Sequence, residues 1–234
     1  MNGLSAIAPC FVARSGLTTL MCAAIHLSYL SDDSMMSTGL SMPHYGSRGM
    51  ELSDAVSLLE NPTFAALPPT MWADLGCGDG TFTLALAELL LPGSMIHAMD
   101  RDGRALRKIP REHNGVQITT HRGDFTSGAW PFGDLDGILM ANALHYVADQ
   151  PRFIRACETH LRSRRFLIVE YDTDTANRWV PYPISKTTLT TLFTTAGYSS
   201  IKFLGSRPSV FRRAALYGAL VTRGPDAIRE PTRA

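Results

Sequence analysis

Hydrophobic positions along this chain recur with two alternating periods. Near the start of the organised region Leu52, Ala55, Val56 and Leu59 fall at helical spacing, with Ser53 available as a cap and Asn61-Pro62 as a stop. After Pro68-Pro69 comes a series of short apolar segments of strand length, at residues 70–75, 94–99, 116–120, 135–141, 166–171, 200–204 and 214–222. Segments of helical period separate them. One runs over about residues 81–91 and is stopped by Pro92-Gly93; another is marked by Ala105, Leu106 and Ile109 and stopped by Pro110. A third opens at Pro151 and is lined by Phe153, Ile154, Cys157 and Leu161. The last is lined by Leu189, Leu192, Phe193 and Ala196 and closed by Gly197.

Strands alternating with helices predict a parallel sheet covered on both faces, and residues 135–141 are apolar enough to be buried on both. The last two strand segments have only residues 205–213 between them, with Pro208 inside. That is too short for a helical crossover, so the pair is expected to be antiparallel. The predicted architecture is an α/β three-layer sandwich with a mostly parallel seven-stranded sheet ending in a C-terminal antiparallel hairpin. It occupies residues 49–223. Residues 1–48 are expected to be a poorly ordered or non-native extension, and 224–234 a polar tail.

Composition changes this picture little but excludes several classes. The hydrophobic fraction of 45% and charged fraction of 18% belong to an ordinary globular core. With 22 Lys+Arg against 21 Asp+Glu there is no basic footprint for nucleic acid. Cys10, Cys22, Cys77 and Cys157 are scattered and form no CxxC pair, so neither a zinc site nor a disulfide framework is expected, and a reducing, cytoplasmic compartment is. The uncharged stretch between Arg14 and Asp32 is diluted by Thr18, Thr19, His26 and Ser28, which argues for an extension and against a membrane segment.

The chemistry concentrates where strand, acid, glycine loop and helix follow one another. Gly76, Gly78 and Gly80 let the backbone turn sharply and approach a ligand, and the next helix opens with unsatisfied N–H groups. Asp100 ends the second strand, where an acid can accept from ribose hydroxyls. A dinucleotide fingerprint would need Gly or Ala at position 81, and the chain has Thr81. The run Asp74-Leu75-Gly76-Cys77-Gly78-Asp79-Gly80 instead resembles the first motif of class I S-adenosylmethionine-dependent methyltransferases. Gly123-Asp124-Phe125, the segment Asp136 to Tyr146, the strand ending at Glu170-Tyr171 and the closing hairpin are similar to later parts of the same family.

This resemblance implies a Rossmann-like sandwich and S-adenosyl-L-methionine as cofactor. Its methionine end would lie on Asp74, Gly76, Cys77, Gly78 and Gly80, with the ribose on Asp100 beside Arg101. Asp124 and Phe125 would meet the adenine, and Asn142 would approach from the loop after the fourth strand. Read from the residues alone, Asp74 and Asp100 equally suit helix caps, Asp124 suits a turn, and Cys77 suits a small loop residue.

Methyl transfer to a hydroxyl is helped by a base, and His145 stands just beyond the fourth strand at the carboxyl edge, where open α/β folds bind ligands. A structural histidine fits the same position. Tyr146 and Glu170 at that edge, Trp179 and Tyr182 in a proline-stiffened loop, and Tyr45 before the first helix are the further acceptor-side candidates. The chain lacks an Asn-Pro-Pro-Tyr motif after strand four, and its one Pro-Cys pair, Pro9-Cys10, lies in the extension. A small organic acceptor is therefore expected, with no metal, nucleic acid or membrane. The alternatives are a catalytically silent cofactor-binding module and, less favoured, a nicotinamide-dependent oxidoreductase. Nothing in the sequence addresses oligomeric state.

Overall fold

The computed structural model describes residues 50–208 and 214–224, all within the unit Tyr45–Ala234. The expected extension 1–48, Tyr45 with it, and all but the first residue of the expected tail 224–234 lie outside the described residues.

The elements in chain order are α1 (Leu52–Leu59), β1 (Met71–Leu75), α2 (Thr81–Leu89), β2 (Met95–Asp100), α3 (Gly103–Leu106), β3 (Glu112–His113), β4 (Val116–Arg122), β5 (Gly137–Ala141), α4 (Gln150–Cys157), β6 (Arg165–Tyr171), α5 (Lys186–Thr195), β7 (Ser200–Pro208) and β8 (Ala215–Thr222). They build one mixed sheet in the order β3-β4-β2-β1-β5-β6-β8-β7. The strands from β4 to β6 are parallel, β8 pairs antiparallel with β6, and β7 closes the hairpin.

All seven expected strands are present, and β3 adds an eighth. His113 pairs with Val116 across Asn114-Gly115, whose φ angles of 50° and 76° are those of a two-residue hairpin turn. The fourth expected strand is shortened to β5. Leu135 bridges Leu161, while the Asp136 carboxylate accepts from the Met71 amide at 2.8 Å and pairs with Arg162, so the strand begins only after these two residues. Ser53 lies inside α1, and Glu51 holds the cap position without a side-chain bond. The helix expected near Ala105 is the four-residue α3, capped by Asp102 accepting from the Arg104 amide at 2.8 Å.

Side chains alternate across the sheet. Ala73, Ile138, Met140, Phe166 and Ile168 face one apolar cluster, and Trp72, Leu139, Leu167 and Val169 the other. Burial on both faces is why these strands read as continuous apolar runs, and each large buried side chain stabilises the fold by about 1.5–3 kcal/mol. On the second face α1 crosses β8 with no space between backbones: a Cβ at Gly218 would overlap the carbonyl oxygen of Leu58. Successive strands run outward from β1 to β4 and then restart at β5 on the other side of β1. The carboxyl ends of β1 and β5 thus form the point where strand order reverses, the usual ligand crevice of such sheets.

Candidate functional site

At that crevice β1 passes into the glycine loop. The amides of Gly76 and Cys77 both donate to the Met99 carbonyl, at 2.8 and 3.1 Å, which ties the loop to the end of β2. Gly76, Gly78 and Gly80 have φ of 79°, 55° and 92°, conformations that disfavour any other residue. A Cβ at Gly76 would meet the Ala143 Cβ at 2.8 Å and the Phe125 ring at 3.2 Å, so the loop lies against the turn after β5. At Gly78 it would meet nothing within 4 Å, which leaves that face of the loop open to a ligand. Gly80 is the cap of α2 and supplies no side-chain acceptor to the first helical amides.

Three carboxylates surround this loop. Asp74 is fully buried, and one of its oxygens accepts from the Thr83 hydroxyl at 2.6 Å. The other oxygen is buried without a partner. Burial pushes its carboxyl up to about 7, against the pull of the Thr83 bond and with a further push from the Asp100 charge. Asp100 accepts from the Gly78 amide at 2.9 Å through one oxygen and from the Asp102 amide at 2.8 Å through the other, so it pins the loop. Each oxygen keeps a second lone pair for a ligand. Asp124 accepts twice from Thr126, and the Arg101 guanidinium stands 3.9 Å away. Burial pushes the Asp124 carboxyl up, but the Thr126 bonds and Arg101 outweigh it and hold the group below its usual range. Beside Asp124 lies a cavity of about 680 Å3 lined by Met99, His121, Arg122 and Trp130 among others.

Cys77 within the loop and Phe125 beside it are both buried. Burial, reinforced by the Asp74 and Asp100 charges, drives the Cys77 thiol far above its usual range, so it is an inert packing residue. Phe125 is 8% exposed and packs edge-on against Phe153 at 5.8 Å. Thr83, the partner of Asp74, was not among the expected site residues. Its signal is a hydroxyl in the first turn of a helix that follows an acid-ended strand.

The acceptor-side candidates separate. Asn142 turns the chain out of β5 with φ of 52°, its amide donating to the Val169 carbonyl at 2.8 Å and its side-chain oxygen buried without a partner. His145 is only 2% exposed. Its ring Nδ1 lies 2.6 Å from one Glu170 oxygen, its backbone amide donates to the other at 3.1 Å, and its carbonyl accepts from the Tyr182 amide at 3.1 Å. Glu170 is fully buried with both oxygens on His145, so it does not line an acceptor surface as expected but stands behind the histidine. Tyr146 and Tyr182 form the exposed rim, the Tyr146 ring 4.3 Å from that of His145. Burial, then the Glu170 charge, raises the Tyr146 hydroxyl, with Arg101 opposing. Trp179 is equally exposed, on a turn held by Asn177 and under the Arg178 guanidinium.

The cradle therefore offers buried, unpartnered acceptors on Asp74 and Asn142, two further carboxylates and an open glycine face. These suit a ligand rich in hydrogen-bond donors and carrying positive charge. A family model described as a methyltransferase domain matches residues 73–164. Residues 73–164 therefore form a methyltransferase domain within a Rossmann-like sheet.

S-Adenosylmethionine, with its ammonium, sulfonium and ribose hydroxyls, is the cofactor of this domain and matches the donor-rich ligand that the acids call for. The methyltransferase domain superposes on magnesium protoporphyrin IX methyltransferase from Synechocystis PCC 6803 with bound SAM, with a TM-score of 0.51 and 14% identity over 74% of this chain and 77% of that one. TehB from Haemophilus influenzae matches with a TM-score of 0.52 and 17% identity over 73% of this chain and 62% of that one. In sequence, 77 residues are 38% identical to the ribosomal protein L11 methyltransferase of Thermosynechococcus vestitus (strain NIES-2133 / IAM M-273 / BP-1), 31% of this chain and 25% of that protein. The chain thus spans about a quarter of that relative's length.

Proposed function

We propose that the protein transfers the methyl group of S-adenosylmethionine to a small organic acceptor, with His145 as the base. The observation that carries this reading is the buried His145–Glu170 pair in the turn after β5, under the Tyr146 ring. When bound, the cofactor supplies an electrophilic methyl group on a sulfonium. The chain's own residues do the rest. Asp74, Asp100 and Asp124 fix the donor groups of the ligand, and the open face at Gly78 admits it without steric cost. With Nδ1 engaged by Glu170, Nε2 of His145 is the ring atom left to take a proton from an acceptor hydroxyl as the new bond forms. Tyr146 and Tyr182 form a half-exposed aromatic rim suited to an apolar or planar acceptor, and Tyr182 is tied to His145 through the backbone.

The balanced charge supports a small acceptor over a nucleic acid. The free, buried Cys77 and Cys157 fit a cytoplasmic site of action. Among the described residues no helix is long and apolar enough to cross a membrane. A protein acceptor is the second reading, favoured by the name of the ribosomal protein L11 methyltransferase that the chain partly resembles. Incubation with methyl-labelled S-adenosylmethionine and, separately, protein-free and protein-only fractions of a cell extract decides between them. Label is expected in the protein-free fraction. Label only in protein would overturn the acceptor class, and binding without label in either would favour the catalytically silent module.

A further inference from the structure

The arrangement of donors around Glu170 carries a second assignment, which rests on the reading of His145 as base. The two carboxylate oxygens of Glu170 are taken by two N–H groups of one residue, the backbone amide of His145 at 3.1 Å and its ring Nδ1 at 2.6 Å. The pair is fully enclosed, with 2% and 1% side-chain exposure. A carboxylate that is ionised and desolvated accepts only, so the ring nitrogen facing it must carry the proton. The backbone amide locks the carboxylate in plane, and β6, where Glu170 is paired with Tyr217 of β8, locks it from behind.

We propose that Glu170 is the positioning residue that selects the Nδ1–H tautomer of His145 and thereby keeps the Nε2 lone pair free for the acceptor proton. As the acceptor is methylated its proton moves to Nε2, and the cationic ring so formed lies beside the Glu170 carboxylate until the proton passes to solvent. The other groups that face the pair are phenols and their neighbours. Tyr146 packs on the His145 ring and Tyr171 stands 6.3 Å from it. Tyr217, which feels the charges of Glu170, Asp172 and Asp174, donates its hydroxyl to the Ile184 carbonyl at 2.8 Å, and Arg101 acts on Tyr146.

Glu170→Gln tests this sharply, because a carboxamide has one acceptor and one donor end. The backbone amide of His145 cannot reverse its polarity, so it keeps the carboxamide oxygen and the NH2 group is turned toward Nδ1. The ring must then move its proton to Nε2. In 15N-histidine spectra of the folded protein at neutral pH, His145 is expected to show a protonated Nδ1 in the native chain and a protonated Nε2 in Glu170→Gln. Turnover should fall by about 100-fold or more, with KM and cofactor affinity nearly unchanged. Glu170→Asp, which keeps an acceptor-only group, should retain the native tautomer and restore part of the turnover. Should Glu170→Gln not fold, Glu170→Asp is read against the native chain by the same spectra, and a protonated Nε2 in it would overturn the assignment. A native tautomer in folded Glu170→Gln would overturn it as well. An inverted tautomer together with normal turnover of a His145 variant would leave the positioning intact and remove the base reading instead.

Discussion

Replacing Asp74 with asparagine is expected to stabilise the cofactor-free protein at pH 8 while weakening its hold on S-adenosylmethionine. Asp74 is fully buried, and that burial lifts its carboxyl from 3.8 to about 7. Between those values the folded protein keeps a proton that the unfolded chain has released. Stability is therefore complete below about pH 4, declines as pH rises toward 7, and above 7 the fold carries an ionised, half-satisfied carboxylate. A shift of that size corresponds to about 4 kcal/mol. The amide removes the charge but leaves a buried donor unpaired where the free oxygen was, which costs roughly 1–3 kcal/mol. The net gain at pH 8 is about 2 kcal/mol, or roughly 4–8 °C in Tm for a chain of this size. It should vanish by about pH 5, where Asp74 is already protonated in the folded state. Calorimetry should show cofactor affinity reduced by about tenfold or more, because an acceptor facing a cationic ligand has been neutralised. A thermal midpoint that is lower than native at pH 8, or cofactor affinity left intact, would contradict this account of Asp74. Opposed signs would mark a residue kept for ligand binding at the expense of stability.

The second large effect falls on turnover. His145→Gln keeps an N–H donor for Glu170 and so separates loss of the base from loss of the fold; His145→Ala would leave Glu170 buried with only the backbone amide, a defect worth about 3–5 kcal/mol. In His145→Gln, kcat on the acceptor is expected to fall by about 10²–10⁴-fold, the range for removing a general base. Cofactor affinity should stay close to native, since no cofactor-side acid touches the ring. Native turnover in a folded His145→Gln would reduce the histidine to a latch that joins β6, the turn after β5 and the Tyr182 segment.

Much of this architecture is legible in the residues, for physical reasons. Strands buried on both faces leave unbroken apolar runs, and Pro92-Gly93, Pro110 and Gly197 mark where helices stop. The glycine loop is legible because left-handed positions at 76, 78 and 80 leave little choice of residue. The Asn114-Gly115 hairpin that makes β3 was equally readable, being the strongest short hairpin signal known, but its flanking strand is only two residues long. The late start of β5 was not readable. It depends on the Asp136 carboxylate reaching the amide of Met71, far away in sequence. The same holds for the site. Asp74, Asp100 and Asp124 stand out in the sequence because they lie at or next to the carboxyl ends of β1, β2 and β4. The partnership of Glu170 with His145 needs the register of β5 against β6, which no local pattern encodes. From the sequence Glu170 looks like an edge acid free to meet an acceptor; in the fold it is enclosed behind the histidine.

The claim on which the rest depends is that the crevice between β1, β2 and β5 binds S-adenosylmethionine. Isothermal calorimetry on the full chain with S-adenosylmethionine, its demethylated product and NAD tests it directly. Saturable one-to-one binding of both sulfur ligands is predicted, with no heat of binding from NAD. Binding of NAD with no response to either sulfur ligand would contradict the account.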